Sequence, residues 1–187
     1  MTSVFPAASI PPIARLVPGA DLVEASGLPP LSIAGEIRRE PAVGAAGDML
    51  VFGEGGRIAW KSDRLLGPSG SLLLDFAYKA DSYQIDRPVI RIVDRNGGLV
   101  LAVTIGRVLF KIRRPSYAFA IDLYLNEREE SWMRTVLSWD RLDDERIYLR
   151  VSVNGRVYDR AIVPSFPAGP LSFCVAPETS RLREVAF

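Results

Sequence analysis

The chain has 187 residues, 48% of them hydrophobic, with 23 Lys and Arg against 22 Asp and Glu, a net charge of +1. That length and composition fit a globular domain with a sizeable core and exclude general disorder. The even charge balance gives no field to gather nucleic acid. No run approaches the ~18 apolar residues that span a membrane. The chain also has no histidine, which excludes Ser-His-Asp and Cys-His catalysis, histidine metal sites and histidine pH switches.

The first segment reads MTSVFPAASIPPIARLVPGADL. It lacks the positive start and unbroken apolar stretch of a signal peptide, so the chain is expected to be cytoplasmic when made, free or incorporated into a particle or virion. Pro6, Pro11, Pro12, Pro18, Pro29 and Pro30 predict an extended proline-rich arm over residues 1–30, outside helix and central strand alike. The arm is not polar: Val4, Phe5, Ile10, Ile13, Leu16, Val17, Leu22 and Val23 lie on it. Such groups are expected to pack, either along their own domain or on a neighbouring subunit. Phe5, Ile10, Ile13, Leu16 and Val17 are the candidate interface residues.

From residue 31 to 187 the chain reads as one domain of successive β-strands. Segment 71–78 places Leu72, Leu74, Phe76 and Tyr78 on one face, and 88–94 (PVIRIVD) alternates next. A turn over Arg95-Asn96-Gly97-Gly98 leads to LVLAVTI at 99–105, then VLFKI at 108–112. Segment 117–125 puts Ile121, Leu123 and Leu125 on one face, and Asn126–Glu130 is the one helical turn expected. WMRTVLSW at 132–139 precedes IYLRVSVNGRVYD at 147–159. Asn154-Gly155 predicts a two-residue hairpin turn, since both central residues need a positive φ. That turn would set Val153 opposite Arg156, Val151 opposite Tyr158 and Arg150 opposite Asp159. LSFCV at 171–175 and LREVAF at 182–187 close the chain. Cys174 is alone and cannot form an internal disulfide or a zinc site; with no basic partner nearby in sequence it reads as a packed thiol.

About ten short strands with turn signals every ~8–12 residues predict an all-β, two-sheet antiparallel sandwich. The order of the pieces resembles the concanavalin A-like jelly roll, in particular the laminin G-like domains, over residues 45–187. The resemblance is carried by the stretch around 70–80, the Asp94–Gly98 turn, LRVSVNG at Leu149–Gly155 and the closing Leu171–Phe173 and Leu182–Val185. It implies a jelly-roll sandwich of about a dozen strands whose termini lie close together. It implies no single function, because such folds host lectins, hydrolases and virion parts.

Glycan hydrolysis on this scaffold needs two carboxylates about 5 Å apart in retaining enzymes. In FAIDLYLNE (119–127), Asp122 would be the central aspartate of the resembling Glu-x-Asp-x-x-Glu pattern. Ala120 and Leu125 stand where the two glutamates belong, so no catalytic residue is assigned and the chain is expected not to be an enzyme. Calcium takes roughly six to eight oxygens. Asp140, Asp143 and Asp144 form the best local cluster and are the weak Ca²⁺ candidates, with no cofactor otherwise implied. Trp132, at a strand start after Glu129-Glu130-Ser131, and Tyr83, in the loop 81–88, are the aromatic candidates for a sugar or protein ligand. Trp139 shares a face with Met133 and Leu137 and is expected in the core. The leading expectation is a non-catalytic laminin G-like binding or attachment module for a glycan or protein surface. The alternative is a structural subunit of a phage-like assembly, docked on other subunits through residues 1–30.

Overall fold

The computed structural model describes residues 14–20, 22–42, 47–78, 87–105, 109–114, 117–122, 131–175 and 181–187. β1 (Ala14–Gly19), β2 (Leu22–Gly27), β3 (Ser32–Ala34), β4 (Ile37–Pro41), β5 (Asp48–Phe52) and β6 (Arg57–Ser62) open the chain. β7 (Gly70–Tyr78), β8 (Arg87–Val93), β9 (Leu99–Ile105), β10 (Leu109–Arg114) and β11 (Tyr117–Asp122) follow. β12 (Ser131–Arg141), β13 (Arg146–Val153), β14 (Arg156–Pro164), β15 (Leu171–Val175) and β16 (Arg181–Ala186) close it, and no helix occurs among the described residues.

The strands pair antiparallel into two sheets. One has seven strands in the order β11-β10-β9-β8-β15-β6-β3. The other has nine, β14-β13-β12-β7-β16-β1-β2, with β5 joined to β16 and β4 to β5. Successive side chains of a strand point to opposite faces, so alternating apolar residues give each sheet one dry face. Leu72, Leu74 and Phe76 of β7 and Ile147, Leu149, Val151 and Val153 of β13 are buried on the nine-stranded sheet. They meet Ile58 and Trp60 of β6, Ile92 of β8 and Phe173 of β15 in one cluster between the sheets. Each such side chain contributes roughly 1.5–3 kcal/mol on burial. The expected inward face of β7 and β13 is thus observed. Ile121 stands on β11 opposite Phe110, and Leu123, Leu125 and the segment 126–130 lie outside the described residues.

The Asn154-Gly155 turn forms as expected, with φ of 50° and 81° at its two central residues. The register expected beyond it is corrected. Val153 does face Arg156, but a bulge at Val151/Ser152 leaves Tyr158 unmatched and sets Val151 opposite Asp159 and Arg150 opposite Arg160. Arg150 finds its carboxylate on the other side, bonding Asp140 of β12 at 3.0 Å.

Part of the expected arm lies among the described residues. Residues 14–27 form the β1–β2 hairpin and complete the nine-stranded sheet of their own chain, with Ala14 and Leu16 fully buried. Pro18 does not break β1, because β16 pairs with β1 at Arg15 and Leu16, and Pro18 stands past that ladder opposite Val23. Strands β4, β5 and β6 also lie in a stretch where the sequence reading singled out no particular strand. Between β3 and β4 the chain crosses from one sheet to the other at Gly35, φ 72°; a Cβ there would meet the Gly55 carbonyl carbon at 2.1 Å.

Thr135 of β12 faces the core, fully buried, and its hydroxyl has no hydrogen-bond partner among the described residues. A buried polar group without a partner costs about 1–3 kcal/mol. Thr135→Val is therefore expected to raise stability by about 1 kcal/mol in urea unfolding; a loss of stability would mean the hydroxyl is satisfied in solution.

Candidate functional site

The outer face of the seven-stranded sheet carries a groove of about 510 Å3. Its position follows from register. Across the sheet, Ser32, Ala59, Cys174, Arg91 and Ala102 stand in one transverse row on β3, β6, β15, β8 and β9. Lys61, Ser172 and Val93 form the next row. Small side chains at Ala59, Ser172 and Cys174 make a low floor, half-buried, because their strand neighbours Ile58, Trp60, Phe173 and Val175 point inward. Arg57, Lys61 and Arg91 rise around that floor and are exposed, and Leu31, 72% exposed, borders it on the β3 side.

No acidic side chain lines this groove among the described residues. Several arginines elsewhere are paired: Arg15 with Glu184 at 2.7 Å, Arg39 with Asp48 at 3.3 Å, Arg183 with Asp75 at 2.6 Å. Among the described residues, Arg57, Lys61 and Arg91 have no carboxylate within 4.0 Å. The groove is a local excess of positive charge on a chain of nearly zero net charge. Cys174 sits within reach of it. Burial pushes its thiol above the ordinary range, while Arg57 and Arg91 pull the other way. The sequence expectation of no basic partner for Cys174 is thereby corrected, since residues 57, 91 and 174 meet only through strand pairing.

The residues expected to bind a ligand are placed apart. Trp132 and Asp140 lie eight residues apart on β12, roughly 27 Å. Trp132 is half-buried, and the Arg183 guanidinium covers its ring at 4.5 Å from the centroid. Asp140 pairs with Arg150, Asp143 with Arg146 at 2.6 Å and Asp144 with Arg141. The hydrogen bond from Arg146, offset in part by burial and reinforced by the Glu145 and Arg146 backbone, holds the Asp143 carboxyl below its usual range. These carboxylates face arginines, and among the described residues no three metal-ligating side chains cluster. Asp144 and Arg141 border a second cavity of about 440 Å3 beside Phe166, where Arg141 is already paired. Tyr83, Phe5, Ile10 and Ile13 lie outside the described residues; Leu16 is in the core of its own chain and Val17 is half-buried on β1. Trp60 and Trp139 are core residues, and Asp94 closes its turn by accepting from the Asn96 and Gly98 amides at 2.8 and 2.9 Å.

The class these observations define is an all-β protein of two antiparallel sheets with a basic groove on one outer face. Solved structures share that fold. The chain matches the binding domain of botulinum neurotoxin serotype D with a TM-score of 0.65 at 10% identity, covering 94% of this chain and 47% of that one. It matches the binding domain of botulinum neurotoxin DC in complex with SialylT at 0.63 and 12% identity, covering 93% and 46%. The binding domain of Paraclostridial Mosquitocidal Protein 1 gives 0.63 and 11%, covering 94% and 48%. The chain thus spans about half the length of the solved chains it matches. No family model and no curated protein matches it.

These matches correct the laminin G-like, concanavalin A-like kinship: the matched structures reported above are toxin binding domains. The motifs that carried the resemblance, LRVSVNG and the closing LREV, encode a hairpin turn and a strand alternation, which specify pairing and burial rather than one family. The matched proteins are binding domains by name. No helix among the described residues is long and apolar enough to cross a membrane.

Proposed function

We propose that the chain is a non-catalytic binding module and that a glycan lies in the groove on the outer face of the seven-stranded sheet. The observation that carries this reading is the trio Arg57, Lys61 and Arg91, without carboxylate partners among the described residues, around the low floor of Ala59, Ser172 and Cys174. A volume near 510 Å3 falls within the ~300–1,000 Å3 of ordinary ligand sites. Guanidinium and ammonium groups and the Ser172 hydroxyl offer donors to sugar oxygens, and Leu31 and Val93 offer apolar surface to a ring face. The likeness to a toxin binding domain solved with SialylT supports a sugar ligand. The repeated passage of the chain between sheets, as at β6 to β7 and β14 to β15 to β16, supports a jelly-roll winding.

Filling the floor tests the reading. Ala59→Trp places an indole in the groove while its strand keeps its inward neighbours. On an array of immobilised glycans, the wild-type chain is expected to bind at least one sugar and Ala59→Trp to lose at least about tenfold, with an unchanged unfolding midpoint. Equal binding by the two proteins would place the ligand elsewhere.

A further inference from the structure

We infer that the groove selects an acidic glycan, one whose carboxylate or sulfate ester is held where Arg57, Lys61 and Arg91 converge; this rests on the groove being the binding surface. Arg57 and Lys61 are four residues apart on β6, about 13 Å along the strand. Arg91 stands two strands away, about 10 Å across the sheet, on the same outer face. Side chains as long as Arg and Lys reach inward from such a triangle to a single anionic group above Cys174. Like charges at these separations repel one another, and an anion offsets that repulsion.

The shape of the patch narrows the ligand. A triangle with sides of about 10–13 Å fits one or two sugar rings, whereas nucleic-acid surfaces need a longer basic stripe. The Arg fork matches a carboxylate or sulfate through paired N–H donors, and such charge-assisted bonds are about twice as strong as neutral ones. The second cavity offers the contrast: Arg141 is there, but Asp144 already occupies it. In the groove the equivalent acid is missing from the described residues, and the ligand supplies it.

The test uses the whole chain and pairs of immobilised glycans that differ only in the acidic group: sialyllactose against lactose, and a sulfated galactoside against the plain galactoside. Sialyllactose or the sulfated sugar is expected to bind at least about tenfold more tightly than its neutral partner. Arg91→Gln and Arg57→Gln, both exposed positions, are expected to erase that difference while leaving the thermal midpoint in place. The sialyl and sulfo arms separate a carboxylate ligand from a sulfate one. Equal binding of acidic and neutral sugars, with Ala59→Trp still blocking both, would overturn the charge selection and leave the groove standing. Acidic preference that survives both glutamine substitutions would overturn it too. Binding of no sugar at all would overturn both readings.

Discussion

Trp139→Ala is expected to lower stability by about 3–5 kcal/mol, the upper range for a large core truncation. The residue is 1% exposed, and its indole N–H donates to the Gly67 carbonyl at 2.9 Å. Its ring meets Phe166 edge-on, centroids 5.3 Å apart at 88°. Register sets it opposite Gly70 of β7, where a Cβ would come within 2.9 Å of Trp139 Cζ2. The glycine therefore makes room for the indole. Alanine would remove the ring, leave the Gly67 carbonyl without its donor and open a cavity that Phe166 alone cannot fill. Trp139→Phe should cost clearly less, since it keeps most of the volume and gives up the hydrogen bond. Urea unfolding measures both; a loss below about 1 kcal/mol for Trp139→Ala would mean that this end of the sandwich is not packed as described.

The second large effect concerns charge. Asp75 alternates with Leu74 and Phe76 and so belongs to the outer face of β7, yet it is 3% exposed. A bulge in β16 between Leu182 and Glu184 accommodates Arg183, whose guanidinium donates to Asp75 Oδ2 at 2.6 Å and lies over Trp132. The carboxylate is thus buried beneath an arginine that stacks on an indole, and its Oδ1 has no hydrogen-bond partner among the described residues. Removing one partner of a buried pair strands the other charge, at about 3–5 kcal/mol. Arg183→Met is expected to lose that much, and Asp75→Asn on the Arg183→Met background to recover a large part of it. Additive losses in the double variant would show that the two side chains do not act as a pair.

Much of the fold was legible because period-two alternation is a local signal. β9 spans Leu99–Ile105, as its sequence segment implied, and the inward set Leu72, Leu74, Phe76, Leu149 and Val151 is the observed one. The Asn154-Gly155 turn was legible for the same reason. The bulge after it was not, since nothing in VYDR marks Tyr158 as the extra residue. The β1–β2 hairpin was hidden by proline. A proline excludes a strand only where its missing N–H would have been needed, and Pro18 sits where β1 has left β16. That requirement belongs to the sheet and cannot be read from residues 14–27 alone.

The groove was not legible for a related reason. Arg57, Arg91 and Cys174 are far apart in sequence, and β15 brings them together by pairing with both β6 and β8. The available signal was the alternation of RIAWKS, which puts Arg57, Ala59 and Lys61 on one face, joined with that of PVIRIVD. The charges of the local clusters are paired within the fold. Asp143 and Asp144 are adjacent in sequence, but each is neutralised by an arginine three residues away. Trp132 is a strand-start aromatic whose ring is covered by Arg183.

On the proposed reading the ligand covers the outer face of the seven-stranded sheet, and Cys174 reports on it directly. It is the chain's one cysteine and lies half-buried on the groove floor. Burial holds its thiol protonated through neutral pH, so the measurement is the rate of its alkylation at alkaline pH, with and without a saturating amount of a glycan that the chain retains. The groove reading predicts a severalfold slower reaction with the sugar bound. An unchanged rate at full occupancy would contradict it.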